Sequence, residues 1–108
     1  MNTLLAHPTG LDKKDWIAGL DKGLAMLQTF DEHNPRLTAT QAGQRCGLTR
    51  TAARRYLLTL AHLGFVSTDG KLFWLTPKVM RLGQSYLESA RLPRIVQPSL
   101  QRLAMGTQ

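Results

Sequence analysis

Cysteine is almost absent from this sequence. A single residue, Cys46, stands among 108, so no internal disulfide can hold the chain and a disulfide-framed scaffold is excluded. His7, His33 and His62 are too scattered to build a ligand cluster with it, and no metal is expected. Acidic residues are scarce as well: seven Asp plus Glu stand against fourteen Lys plus Arg, a net charge of +7. Such a balance attracts polyanions, nucleic acid or anionic lipid headgroups among them. No apolar run approaches the roughly 20 residues that cross a bilayer. The opening MNTLLAHPTGLDKKD lacks the charged and apolar regions of an export signal. A reducing cytoplasmic setting and no membrane partner are the expectation. Also missing are G-x-S-x-G, a phosphate-binding glycine loop, H-E-x-x-H and any pair of carboxylates on one inferred face. Neither catalysis nor a cofactor is expected.

What is present belongs to one small folded domain. Apolar residues make up 43% and charged residues only 19%, proportions that support a packed core and argue against wholesale disorder. Residues 1–15, with Pro8, Gly10 and the alternating charges Asp12, Lys13, Lys14 and Asp15, read as a flexible arm. From Gly19, Leu20, Leu24, Leu27 and Phe30 recur as the stripe of an amphipathic helix that faces the core and ends before His33-Asn34-Pro35. Thr38 and Gln41 stand at capping-box spacing and open a short second helix, with Ala42 and Cys46 facing inward and Gly47 ending it. Thr49 caps a third helix whose stripe is Ala53, Leu57, Leu60 and Leu63, closed by Gly64. Two apolar segments, 65–68 and 71–75, flank Asp69-Gly70, a tight hairpin turn. Thr76-Pro77 starts a fourth helix, with Val79, Leu82, Tyr86 and Leu87 expected to pack back on the core. After Leu92-Pro93, the residues Ile95, Val96, Leu100 and Leu103 predict a further helix with no evident partner. The resulting fold class is mainly α with a small β-hairpin. The domain spans 16–91, and 92–108 read as a linker helix.

Two helices joined by the short Gly47-Leu48-Thr49 connection form a helix-turn-helix, and the hairpin that follows converts it into a winged helix-turn-helix. The charge pattern sharpens this. From His33 to Thr68 there is no Asp or Glu, yet Arg36, Arg45, Arg50, Arg54 and Arg55 all lie there. A face cleared of carboxylates suits phosphates, since each neutralised contact releases counterions. With Ala53, Leu57 and Leu60 inward, Arg50, Thr51, Arg54 and Arg55 fall on the outward side of the first turns, the part of a recognition helix that enters a major groove. Arg50 and Arg54 are the candidate base readers, because a guanidinium forks onto guanine O6 and N7. Arg55 is the candidate shared between base and phosphate. Thr49 and Thr51, at the start of helix 3, and Thr40 and Gln41, at the start of helix 2, can hold phosphate oxygens at positive helix ends. Lys71 is the candidate wing contact, weakened by the neighbouring Asp69. Cys46 reads as a small buried hydrophobe, and Trp16 and Trp74 as packing or dimer residues. A second reading keeps the winged helix as a protein-contact module whose basic face meets an acidic partner.

The stretch LTATQAGQRCGLTRTAARRYLLTLAHLGFV, with the hairpin and LTPKVMRLGQSYL after it, resembles the DNA-binding domain of the isocitrate-lyase-regulator (IclR) family of bacterial transcription factors. WIAGLDKGLAMLQTF, GLTRTAARRYLLTL and DGKLFWLTPKV are similar to the branch that regulates aromatic-acid catabolism, the protocatechuate and hydroxybenzoate regulators. The resemblance implies a palindromic double-stranded operator as partner, and a homodimer or tetramer as the binding form. It assigns base reading to Arg50, Thr51, Arg54 and Arg55, and association to the helix near Gly19 and the segment 92–103. A small-molecule effector is expected only for a full-length relative with the C-terminal, GAF-like domain.

Overall fold

The computed structural model describes residues 10–90. In chain order these form a 3₁₀ turn (Lys13–Asp15), α1 (Leu20–Leu27), β1 (Leu37–Thr38), α2 (Ala39–Cys46) and α3 (Arg50–His62), then β2 (Val66–Thr68), β3 (Leu72–Leu75), a second 3₁₀ turn (Pro77–Val79) and α4 (Met80–Ser89). The first nine residues of the expected arm and the expected linker helix over 92–108 lie outside the described residues.

The helix-turn-helix is set by local chemistry. Thr38 Oγ1 accepts from Gln41 N at 3.2 Å while Gln41 Oε1 accepts from Thr38 N at 2.9 Å, a complete capping box. Gly47 ends α2 at φ 72°, a left-handed conformation that costs glycine nothing. Two residues later Thr49 Oγ1 accepts from Ala52 N at 3.1 Å and starts α3. At the far end of α3, Phe65 N donates to Leu60 O at 3.0 Å around Gly64, the six-to-one closure of a Schellman turn.

The wing is larger than a hairpin. Its antiparallel sheet has the order β1-β3-β2, with Leu37 opposite Phe73 and Thr38 opposite Leu72 on one side, and Val66 opposite Leu75 on the other. Leu37-Thr38 is too short to show any strand periodicity, so sequence alone leaves it in the connection. The turn also falls one residue later than Asp69-Gly70. The register sets Asp69 opposite Leu72, with Gly70 and Lys71 between them, and Asp69 N donates to Leu72 O at 3.3 Å. The cause is the Asp69 side chain: Oδ1 accepts from Lys71 N at 2.9 Å and from Leu72 N at 2.8 Å, which folds the tip over the carboxylate.

The core joins α1, α2, α3 and the sheet through Met26, Phe30, Leu37, Ala42, Ala53, Leu57, Leu60, Val66 and Phe73. Leu57 and Ala53 bear out the inward stripe of α3, whereas Leu63 is 49% exposed. The expected stripe of α1 is half borne out, with Leu27 partly buried against the core and Phe30 buried in it. Met26 is fully buried, but Leu20 and Leu24 are 58% and 49% exposed. The helix ends at Leu27, short of the expected end, and Thr29 Oγ1 turns back to Ala25 O at 3.0 Å. Phe30 therefore reaches the core from outside the helical register, and the interior side of α1 shifts toward Met26. On α4 only Leu87 is buried; Leu82 and Tyr86 are 53% and 59% exposed, so this helix does not pack back on the core along its expected stripe.

Candidate nucleic-acid interface

Three separate elements converge beside the N-terminal half of α3. Thr38, Ala39 and Thr40 from the start of α2, Arg50 and Arg54 from α3, and Gly70 and Lys71 from the wing tip line one cleft of about 280 Å³, floored by Phe73. Arg50 and Arg54 are one helical turn apart and face it together. Of the candidates from sequence, Thr40, Arg50, Arg54 and Lys71 are thus brought together. Thr51 and Gln41 are exposed outside its lining. Gln41 Oε1 is engaged by the capping box and Thr49 Oγ1 by Ala52 N. Arg55 stands apart. It lines a different surface, an apolar groove of about 720 Å³ between α1 and α3 that includes Leu20, Leu24, Tyr56 and Leu63.

No carboxylate lines the cleft, and the acid nearest in sequence, Asp69, is internally engaged. Backbone N–H groups of Leu72 and Lys71, together with the charge of Arg36, hold its carboxyl below the ordinary carboxylate value. Asp69 therefore stays ionised and shapes the tip, while its hydrogen bonds turn its negative charge toward the backbone beneath Lys71. Arg45, one of the five arginines of the acid-free stretch, serves the fold instead. Its Nη1 donates to Thr29 O at 2.8 Å and reaches Asp31 Oδ2 at 3.3 Å, joining α2 to the end of α1. The Asn34 N–H, with help from Arg45, lowers the Asp31 carboxyl in the same way.

Two further contacts have no counterpart in the sequence pattern. Arg36 Cζ lies 4.0 Å from the centroid of the Trp74 ring. A pair 38 positions apart carries no periodic signal, and only the β1–β3 register could have joined them. Lys78 donates to Leu63 O at 2.7 Å and closes the C-terminal end of α3. Cys46, read as a buried hydrophobe, is half-buried against the core with Sγ 3.0 Å from Thr29 Oγ1. Among the described residues no helix is long and apolar enough to cross a membrane, and no cluster of metal-ligating side chains occurs.

Known proteins share both the sequence and this fold. Residues 19–70 match the IclR helix-turn-helix domain. The p-hydroxybenzoate hydroxylase transcriptional activator of Acinetobacter baylyi is 49% identical over 106 residues, covering 95% of this chain and 39% of that protein. The Pca operon regulatory protein of the same species is 47% identical over 94 residues, covering 87% of this chain and 34% of that protein. The crystal structure of an IclR family transcriptional regulator from Brucella abortus superposes with a TM-score of 0.66 at 26% identity, over 81% of this chain and 34% of that one. The chain thus spans between 34% and 39% of the length of those two Acinetobacter relatives. Sequence and overall fold agree, and the chain belongs to the IclR family of transcriptional regulators, of which it carries the helix-turn-helix DNA-binding domain.

Proposed function

We propose that this domain binds double-stranded operator DNA with the N-terminal turns of α3 in the major groove and the wing on the flanking backbone, as part of a regulator of genes for aromatic-acid catabolism. The observation that carries the reading is the convergence of Thr40, Arg50, Arg54 and Lys71 on one cleft with no carboxylate in its lining. Arg50 and Arg54 read base edges, each good bidentate pair discriminating by ~1–3 kcal/mol. Thr40 and Thr49, at the starts of α2 and α3, and Thr51 and Gln41 beside them, hold phosphate oxygens. Lys71 follows the adjacent backbone, and Arg55, exposed on the neighbouring side of α3, is shared between base and phosphate. The catabolic role rests on likeness to the hydroxybenzoate and Pca regulators.

The binding form is a homodimer or tetramer, so that two copies of α3 meet the half-sites of a palindrome. What supports association is the outward apolar surface of Leu20, Leu24, Leu63, Leu82 and Tyr86, each about half exposed or more in a single copy.

Selection of bound sequences from a random duplex pool, followed by anisotropy titrations on the selected site, tests the reading. Arg54→Ala is expected to relax preference at one base position, whereas Lys71→Ala weakens all duplexes alike and flattens the salt slope by about one contact. A wild-type domain that shifts no duplex at low salt and micromolar protein refutes operator binding, because nonspecific affinity alone lies near 10⁻⁴–10⁻⁶ M in ordinary salt.

A further inference from the structure

Arg36 is the one arginine of the acid-free stretch that neither lines the cleft or the groove nor braces the helices. Extending the register of Leu37 opposite Phe73 by one residue sets Arg36 opposite Trp74, which pairs on its other side with Ser67. Leu37 and Phe73 are buried at 2% and 1% exposure, so the alternation of a strand sends Arg36 and Trp74 to the outward face of the sheet. There the guanidinium stacks on the indole at 4.0 Å.

Stacking holds the long side chain in place yet leaves its in-plane N–H donors open. No hydrogen bond or ion pair among the described residues engages them. The acid in the same surface depression, Asp31, is occupied by Arg45 and by the backbone of His33 and Asn34. The charge of Arg36 is felt at the wing tip, where it helps keep Asp69 ionised. β1 runs from Arg36 toward that tip, and its Thr38 borders the cleft. At roughly 3.3 Å per residue, Arg36 lies about 7 Å back along the strand from Thr38.

We propose that Arg36, positioned by Trp74, is a phosphate-contacting residue that extends the duplex footprint from the cleft along the outer face of the wing. The proposal rests on the operator-binding reading above. It takes phosphate and not bases, because the sheet face lies off the helix that enters the groove, and a stacked guanidinium offers its edge to an anionic oxygen.

Anisotropy titrations of the whole chain on the selected operator and on a random duplex, each across a range of salt, test it with Arg36→Gln, Arg36→Lys, Trp74→Leu, the Arg36→Gln/Trp74→Leu double variant and Lys71→Ala. For Arg36→Gln the slope of log affinity against log salt falls by about 0.9, equivalent to about eightfold weaker binding at 0.1 M salt, and equally on both duplexes. Arg36→Lys retains the slope. Trp74→Leu weakens binding in the wild-type background and adds nothing to Arg36→Gln, the signature of a residue acting through the arginine. A melting temperature unchanged by Arg36→Gln, an exposed site, keeps the comparison free of unfolding. If Arg36→Gln matches wild type in affinity and slope while Lys71→Ala loses a contact, this inference is overturned and operator binding stands. An additional loss on adding Trp74→Leu overturns the positioning role. A wild-type chain that binds no duplex overturns both.

Discussion

Gly43 is where the helix-turn-helix is tightest, and adding one methyl group there tests the geometry. A Cβ on Gly43 would stand 2.7 Å from Leu48 O, 3.2 Å from Ala53 Cβ and 3.3 Å from Thr49 O. Two of these are backbone atoms of the turn and of the α3 cap, so no rotamer change relieves the contact; α3 must slide away from α2. The same movement strains the bond from Leu48 N to Gly43 O, 2.8 Å long. Alanine in a helix interior gains about 1 kcal/mol over glycine. Overpacking costs about 1–3 kcal/mol, and a weakened hydrogen bond about 1 kcal/mol more. Sterics therefore win, and Gly43→Ala destabilises by roughly 1–3 kcal/mol. Gly23→Ala in α1 is the control. It carries the same helical gain, and its Cβ meets only Tyr56 Cδ1 at 4.0 Å, so it stabilises by up to about 1 kcal/mol. Urea unfolding followed by circular dichroism reads both, with midpoints shifting in opposite directions at constant slope. Because Arg50 and Arg54 ride on the displaced helix, Gly43→Ala also loses discrimination between operator and random duplex. If it stabilises as Gly23→Ala does and leaves discrimination intact, the close approach of α2 and α3 is wrong.

Thr49→Ala removes the acceptor for Ala52 N and is expected to cost about 1 kcal/mol of stability, with Thr49→Asp or Thr49→Ser restoring it in the same urea titration. The depressed carboxyl of Asp69 fixes the sign of a pH effect at the wing tip. A carboxylate whose folded value lies below its unfolded one stabilises the turn above about pH 4 and loses that contribution as pH falls through the folded value. Amide exchange at Lys71 and Leu72 is therefore expected to be unaffected by this group from pH 7 to 5 and to accelerate, relative to the intrinsic rate, below about pH 4. Asp69→Asn removes the transition, and a tip that loosens in the neutral range instead refutes the Asx turn.

How far the fold could be read from sequence depended on whether a signal was local. Thr38, Gln41, Gly47, Thr49 and Gly64 bond or bend within a few residues of themselves, and the structure has each where the pattern of caps and stops predicts it. Periodicity was a poorer guide to facing. Leu20 and Leu24 satisfy a helical stripe as well as any buried pair, but in a short helix ending at Leu27 the interior side is chosen by the partners, and these selected Met26. The cleft was half legible. Arg50 and Arg54 follow from the helical repeat, whereas Lys71 reaches them only because Asp69 moves the turn by one residue, and Arg36 meets Trp74 only through a strand two residues long.

Arg54 and Arg55 are adjacent in sequence yet serve different surfaces, for a geometric reason. Successive residues of an α-helix are rotated by about 100°, while residues four apart differ by only about 40°. Arg54 therefore shares its side with Arg50 and the cleft. Arg55 is carried toward Ala52, Tyr56 and Thr59, the α3 wall of the groove whose opposite wall is α1. One helix thus forms both the proposed reading surface and one side of the apolar surface proposed for association. A second copy seated on that groove would bear directly on α3. The angle at which two copies hold that helix, fixed within each copy by the contact at Gly43, would then set the half-site spacing that the pair can read.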